Sequence, residues 1–276
     1  MPLTLTLRQP HDIPIEVDFV RVEQVRTQSR DEVLATPVQY GNKLKTVGDF
    51  FDVSGSAADD NHLVYVGDCR KVKLIGTGLS EGRITVEGPA GMHLGAEMTG
   101  GEIEVRGDAG DWVGAEMKGG RIRIRGNTGH CVGAVYRGGR KGMTGGEILI
   151  DGDTGNELGH TLRRGLIAVA GRTGDAPGFN MLAGSLLLFG DTGIRPGAGM
   201  RRGTIALFRG ESAPAMLPTF KRGNRYENAG FLALYLRLLR RLGFPVPEGA
   251  ETSPYQRFRG DFLELGRGEI WVRQSV

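Results

Sequence analysis

Between residues 82 and 208 apolar and polar positions alternate in a pattern that restarts every 19 residues. Units begin at Gly82, Gly101, Gly120, Gly146, Gly165 and Gly184, with a truncated one at Gly203. The third position is Ile84, Ile103, Ile122, Ile148, Ile167, Leu186 and Ile205, and the fifth is Val86, Val105, Ile124, Ile150, Val169, Leu188 and Leu207. Apolar, mostly β-branched residues two apart mark a strand with one buried face, so each unit predicts one short strand. One unit has 26 residues because it carries a seven-residue insertion, Tyr136 to Gly142. With the insertion set aside, position seventeen is a third apolar row: Met98, Met117, Met143, Leu162, Met181 and Met200.

After each strand comes GxxGxxxG, from Gly88-Gly91-Gly95 and Gly107-Gly110-Gly114 to Gly190-Gly193-Gly197, six times in all. Glycine at fixed offsets marks corners, where the backbone takes positive φ or has no room for a Cβ. This explains why 46 of the 276 residues are glycine. A 19-residue unit cannot bury its own apolar face, but stacked units can. At the ~4.8 Å spacing of paired strands, about eight coils form a column roughly 35 to 40 Å long. The expectation is an all-β fold, a right-handed parallel β-helix or a closely related solenoid.

Three regions follow: an N-terminal β cap over 1–60, the solenoid over 61–210, and a C-terminal extension containing a helix over 211–276. The first region reads as strands at Leu3 to Leu7 and Ile15 to Val17, with a Gly-bounded segment, Gly48 to Val53. Residues 61–81 read as a degenerate first coil, with Val64 and Val66 in its strand and Val72 and Leu74 opposite. Asn228 is placed to cap a helix running to about Leu242, where Gly243 and Pro245 stop it. Phe231, Leu232, Tyr235, Leu236, Leu239 and Leu242 share one face of that helix, which suits a plug over the last coil or an interface helix. The tail predicts strands at Phe262 to Leu265 and Glu269 to Val272.

Composition excludes several classes. There is no Gly-X-Y register, and 39% apolar residues suffice for a core. No apolar run approaches the ~18 residues that span a bilayer, and Met1 to Pro10 lacks a signal-like apolar stretch, so a cytoplasmic protein is expected. Cys69 and Cys131 form no CxxC, and the five histidines form no HxH or HExxH. No Walker lysine motif occurs, and the nearest dinucleotide-like stretch, Gly76 to Glu81, lacks its third glycine. The residue after the first motif glycine is Pro89, Asp108, Asn127, Asp153, Arg172 and Asp191, too irregular for a calcium ladder. A net charge of +3 with interspersed acids gives no nucleic-acid footprint.

His93, His130 and His160 occupy unit positions twelve, eleven and fifteen, so they form no metal-binding row, and no catalytic residue is assigned. The candidate surface is basic instead. The insertion brings Arg137, Arg140 and Lys141 into a loop, the usual place for solenoid binding functions. Arg163-Arg164 and Arg201-Arg202 end their units and fall on one edge, with Lys221 and Arg222 just beyond. This edge is either solvated or a docking surface for acidic partner segments, which guanidinium pairs in a bidentate manner.

The six glycine motifs, with Gly91 to Met98, Asp111 to Met117, Tyr136-Arg137-Gly138 and Arg195 to Met200, resemble the C subunit of formylmethanofuran dehydrogenases. The resemblance extends from Gly48-Asp49-Phe50-Phe51 to Leu217-Pro218-Thr219-Phe220. Two complexes share that subunit: the tungsten or molybdenum dehydrogenase of methanogenic archaea and the formyltransferase/hydrolase complex of methylotrophic bacteria. The ratio of 28 Arg to 7 Lys suits a GC-rich genome and the bacterial complex. The resemblance implies a non-catalytic C subunit beside a metal-dependent amidohydrolase-like A, a molybdopterin-enzyme-related B and a formyltransferase D. It also implies formyl transfer from formyl-tetrahydromethanopterin to a methanofuran-type carrier, followed by hydrolysis to formate. Carrier and metal ion would belong to partner subunits, with none bound by this chain, and a polyglutamylated carrier tail is one acidic segment the basic edge could meet. The coil is also similar to the C-terminal domain of the glutamate synthase large subunit. An acyltransferase of the left-handed β-helix type would need an 18-residue coil, which the 19-residue period opposes. A sugar-binding β-helix of the polysaccharide lyase kind would need groove carboxylates and aromatics that are not evident here.

Overall fold

The computed structural model describes residues 1–274. Each unit delivers its strand: Arg83–Val86, Glu102–Val105, Arg121–Ile124, Glu147–Ile150, Leu166–Val169, Ser185–Leu188 and Arg202–Leu207. Each pairs in parallel with the next, in a register that lays Ile84, Ile103, Ile122, Ile148, Ile167, Leu186 and Ile205 side by side. The insertion does not disturb this ladder, since Ile122 still faces Ile148 across it. A second row of parallel bridges joins Cys69, Ala90, Ala109 and Thr128, and resumes through Thr154, Thr173 and Thr192. The aliphatic rows and the Met98, Met117, Met143, Leu162, Met181 and Met200 row are all buried in one core.

These strands form the centre of a mixed 13-stranded sheet. Towards the N-terminal end it continues through His62–Val66 and Leu3–Leu7, both parallel, and ends on antiparallel Phe51–Ser54. At the other end Arg267–Arg273 adds in parallel to Arg202–Leu207, followed by antiparallel Tyr255–Gly260 and Lys221–Tyr226. Short strands Lys43–Thr46, Pro37–Tyr40, Ile15–Glu16 and Val72–Lys73 form a separate four-stranded sheet.

The motif glycines divide by mechanism. The third, as in Gly114, has φ +61° and sits where an added Cβ would come within 2.5 Å of Ile148 Cδ1. The first, as in Gly107, has ordinary φ, yet an added Cβ would meet the backbone of Gly88 and Pro89 at 2.8 Å. Both kinds of corner require the bare backbone, one for conformation and one for space.

The strand His62–Val66 contains Val64 and Val66 as expected, and its inward residues are Leu63 and Tyr65, registered with Ile84 and Val86. Three expectations need correction. The helix spans Gly230–Arg241, with Ala229 at its N-cap and no side-chain cap bond, so Asn228 does not cap it. It does not plug the last coil either. Leu232, Leu236 and Leu239 instead pack on the outer sheet face with Leu149, Leu166, Ala168, Leu187, Phe189, Ala206, Phe208 and Trp271. Phe220, with Met216 and Leu217, packs against the interior beside the last full unit. Finally, Phe262 to Leu265 is a turn rather than a strand. The buried Asp261 carboxylate accepts the N–H groups of Gly199 and Leu263 at 3.1 and 3.0 Å, and the Asp261 carbonyl accepts from Glu264 and Gly266.

Candidate functional site

Polar residues at the corners build ladders of their own. At unit position eight the Asp108 carboxylate accepts the Asn127 N–H at 2.7 Å, the Asn127 side chain accepts from Asp153 at 2.8 Å, and Asp153 accepts from Arg172 at 2.7 Å. At position eleven Asp111, His130, Asn156 and Asp175 likewise accept from the N–H of the following unit. The irregular Asp/Asn series thus satisfies backbone donors that the corner geometry leaves open. Recurrence of Asp, Asn or His at one unit position is the sequence signal for these ladders.

The histidines are engaged locally. His160 Nδ1 lies 3.0 Å from Glu157, and His93 Nδ1 lies 2.9 Å from the Tyr136 hydroxyl. Tyr136, first residue of the insertion, stacks on Trp112 with ring centroids 5.2 Å apart, and its N–H donates to Glu116 at 3.0 Å. Burial, with Glu97 and Glu116 nearby, pushes the Tyr136 phenol up to about 12. Burial, then Lys73, holds His93 below its ordinary value. The contact between the phenol and the imidazole pins the insertion at its start. Burial also pushes the Cys131 thiol up to about 11, away from nucleophilic character. No group of three or more His, Cys, Asp or Glu suited to a metal ion occurs among the described residues.

The structure gathers part of the basic set. Arg140 from the insertion and Arg201 line one cavity of about 480 Å³ with Thr161, Asn180 and Glu264. Arg201 is tied to Glu264 at 3.0 Å. Arg163 occupies the same unit position as Arg201, with Leu182 between them, hence about 10 Å apart along the column. Arg137, Lys141, Arg164 and Arg202 are exposed. Lys221 lies over the Phe262 ring at 5.2 Å, and Arg222 donates to Gln256 at 3.0 Å, so these two serve contacts within the C-terminal extension.

The outer face of the sheet has two halves. Towards the C-terminal end it is apolar and lies under the helix; towards the N-terminal end it carries alternating charges. There Arg121 bridges Glu102 at 3.1 Å and Glu147 at 2.9 Å, and Arg125 reaches Glu104 at 2.7 Å. At the boundary Arg123, 6% exposed, pairs with Asp151, donates to the Gly243 carbonyl at 3.2 Å and packs over the Phe244 ring. This clasp fixes the end of the helix.

Residues 67–216 match the GXGXG motif family, more than half of the chain, and the chain belongs to that family. Relatives narrow the class. The C subunit of a tungsten-containing formylmethanofuran dehydrogenase 2 from Methanothermobacter marburgensis is 36% identical over 97 residues, 34% of this chain and 36% of that one. The C subunit of a molybdenum-containing formylmethanofuran dehydrogenase 1 from the same organism is 37% identical over 95 residues, 34% of this chain and 24% of that one. These matches span about a third or less of the relatives' own lengths. Among solved structures, a chain of the formyltransferase/hydrolase complex (FhcABCD) from Methylorubrum extorquens, crystallised with methylofuran, superposes with a TM-score of 0.87. It is 28% identical, with 99% of this chain and 100% of that one covered.

Proposed function

We propose that this chain is the C subunit of a formyltransferase/hydrolase complex and acts as a scaffold rather than a catalyst. In this reading the column is a right-handed parallel β-helix over 61–210, between a cap over 1–60 and an extension over 211–276. It seats an amidohydrolase-like A, a molybdopterin-enzyme-related B and a formyltransferase D in the cytoplasm. The assembly passes formyl from formyl-tetrahydromethanopterin to a methanofuran-type carrier and releases formate. One observation carries this: near-complete superposition on a chain of such a complex, from first strand to last. Consistent with it, no helix of the described residues is long and apolar enough to cross a membrane. Purification of the native protein tests the reading. Stoichiometric partners and formyl transfer by the assembly, but not by the isolated chain, are expected; a lone chain that turns over substrate overturns it.

The dehydrogenase relatives support a second reading, the same role in a tungsten or molybdenum enzyme. Metal analysis of the purified assembly separates the two.

Within either assembly, the basic set Arg137, Arg140, Lys141, Arg163, Arg164, Arg201, Arg202, Lys221 and Arg222 docks acidic segments, including an acidic carrier tail. The shared cavity of Arg140 and Arg201 is its centre. Replacing Arg137, Arg140 and Lys141 together by Ser should weaken assembly or carrier turnover; unchanged values of both refute the docking role.

A further inference from the structure

Two strands beyond the last unit, Tyr255–Gly260 and Arg267–Arg273, form a hairpin whose tip is both apolar and exposed. The turn between them carries Phe262, Leu263 and Leu265, which are 48, 81 and 54% exposed. It is a braced turn rather than a loose one. The Phe262 N–H donates to the Thr219 carbonyl at 3.1 Å, and the buried Asp261 carboxylate accepts the Gly199 N–H at 3.1 Å, so two other segments hold it. Lys221 lies over the Phe262 ring. A cluster of large apolar side chains displayed on a fixed turn marks an interaction surface.

The charges beside this tip depart from the pattern kept in the N-terminal half of the sheet. There arginines face carboxylates of neighbouring strands, as Arg121 does between Glu102 and Glu147. At the hairpin like charges stand opposite each other instead: Arg202 is in register with Arg267, and Lys221 with Arg259. Opposed like charges destabilise a sheet. Glu269, in register with Arg259, is already engaged by Arg257 at 3.4 Å and by the Trp271 indole N–H at 3.1 Å. Among the described residues, the guanidinium groups of Arg202, Arg259 and Arg267 make no ion pair or hydrogen bond, and all three residues are exposed. Three forked donors thus stand unspent around an apolar tip.

We infer that this hairpin tip docks a partner protein through an acidic segment with apolar anchors, its carboxylates on Arg202, Arg259 and Arg267 and its apolar side chains on Phe262, Leu263 and Leu265. Charge complementarity sets the sign of the partner. The apolar tip calls for a protein segment rather than a free anion, and Glu264, at the tip and tied to Arg201, opposes an anionic lipid surface. The inference rests on the reading that the chain works within an assembly, and adds Arg259, Arg267 and an apolar anchor to its basic edge.

The native assembly is purified with the full-length chain carrying Arg267→Lys, which keeps the charge and supplies an amine, and is treated with a zero-length carbodiimide cross-linker. Cross-links from position 267 to Asp or Glu of a co-purifying subunit are expected. Leu263→Ser and Arg259→Glu, each with an unchanged melting temperature, should weaken retention of that subunit about tenfold. Leu44→Ser, at a leucine 69% exposed on the separate four-stranded sheet, should retain it as the parent does. Absence of the cross-links, or undiminished retention in both tip variants, overturns the inference while the parent's partners keep the assembly reading standing. A parent chain that purifies alone overturns both. Equal loss in Leu44→Ser, or binding of the parent to phosphatidylglycerol vesicles that Leu263→Ser abolishes, also overturns the inference.

Discussion

The imidazole Nδ1 of His130 accepts the backbone N–H of Asn156 at 2.9 Å. Acceptance at Nδ1 places the ring proton on Nε2, and the residue does the work that Asp and Asn do at the same corner of neighbouring units. His130→Asn should therefore be nearly neutral, whereas His130→Leu leaves a corner N–H without its acceptor and should cost about 1 to 2 kcal/mol. Thermal or urea unfolding of the two variants side by side checks this; equal losses would contradict the ladder.

Gly114 combines a left-handed backbone with a methyl group, Ile148 Cδ1, pressed against the site of a Cβ. Gly114→Val should destabilise the chain by about 2 to 4 kcal/mol, since a β-branched residue adds strain as well as crowding. Gly230, in open space at the helix start, is the control: Gly230→Ala should cost little.

Arg123 ties the sheet to the helix end. Arg123→Met should leave Asp151 without its closest partner and cost about 3 kcal/mol, the range for breaking a buried pair from one side. Hydrogen exchange should quicken in the Gly230–Arg241 helix while the parallel strands keep their protection. Uniform acceleration throughout would mean that helix and column melt as one unit.

Acid should loosen the N-terminal end through Glu23. Burial raises its carboxyl, but hydrogen bonds from the Ser80 hydroxyl, the Ser80 N–H and the Glu81 N–H outweigh burial and leave it below its ordinary 4.5. A depressed carboxyl contributes stability above the unfolded value and loses it as the pH falls through the folded one. Exchange protection of Ser80 and Glu81 should thus decline below pH 4.5, and Glu23→Gln should remove that dependence.

The parallel strand ladder is legible in the sequence because two aliphatic positions per unit, repeated seven times, leave only one face to bury. Register fails where this contrast disappears. Leu63, Val64, Tyr65 and Val66 are all apolar, so either alternation reads as a strand, and only pairing with Ile84 selects Leu63 and Tyr65. The helix is visible from its apolar stripe, but its seat is written elsewhere. Position four changes from Thr85, Glu104 and Arg123 to Leu149, Ala168, Leu187 and Ala206, an outer face that needs a cover. The Phe262 to Leu265 turn escapes a reading by pattern because its side chains alternate like a strand, while the Asp261 bonds that bend it are tertiary. At the basic edge, Arg140 and Arg201 stand on separate segments of the sequence. Their common cavity depends on how the insertion folds back, which spacing does not encode.

The corner ladders run in a single direction, each side-chain acceptor serving the unit that follows it. Units that look interchangeable by their aliphatic interiors are therefore not interchangeable by their rims. Transposing the segment with Arg172 to a place ahead of Asn127 would present a guanidinium to an N–H that needs an oxygen. The order of the coils is thus recorded in a few small polar side chains, and any attempt to shuffle, lengthen or shorten the stack has to respect that grammar.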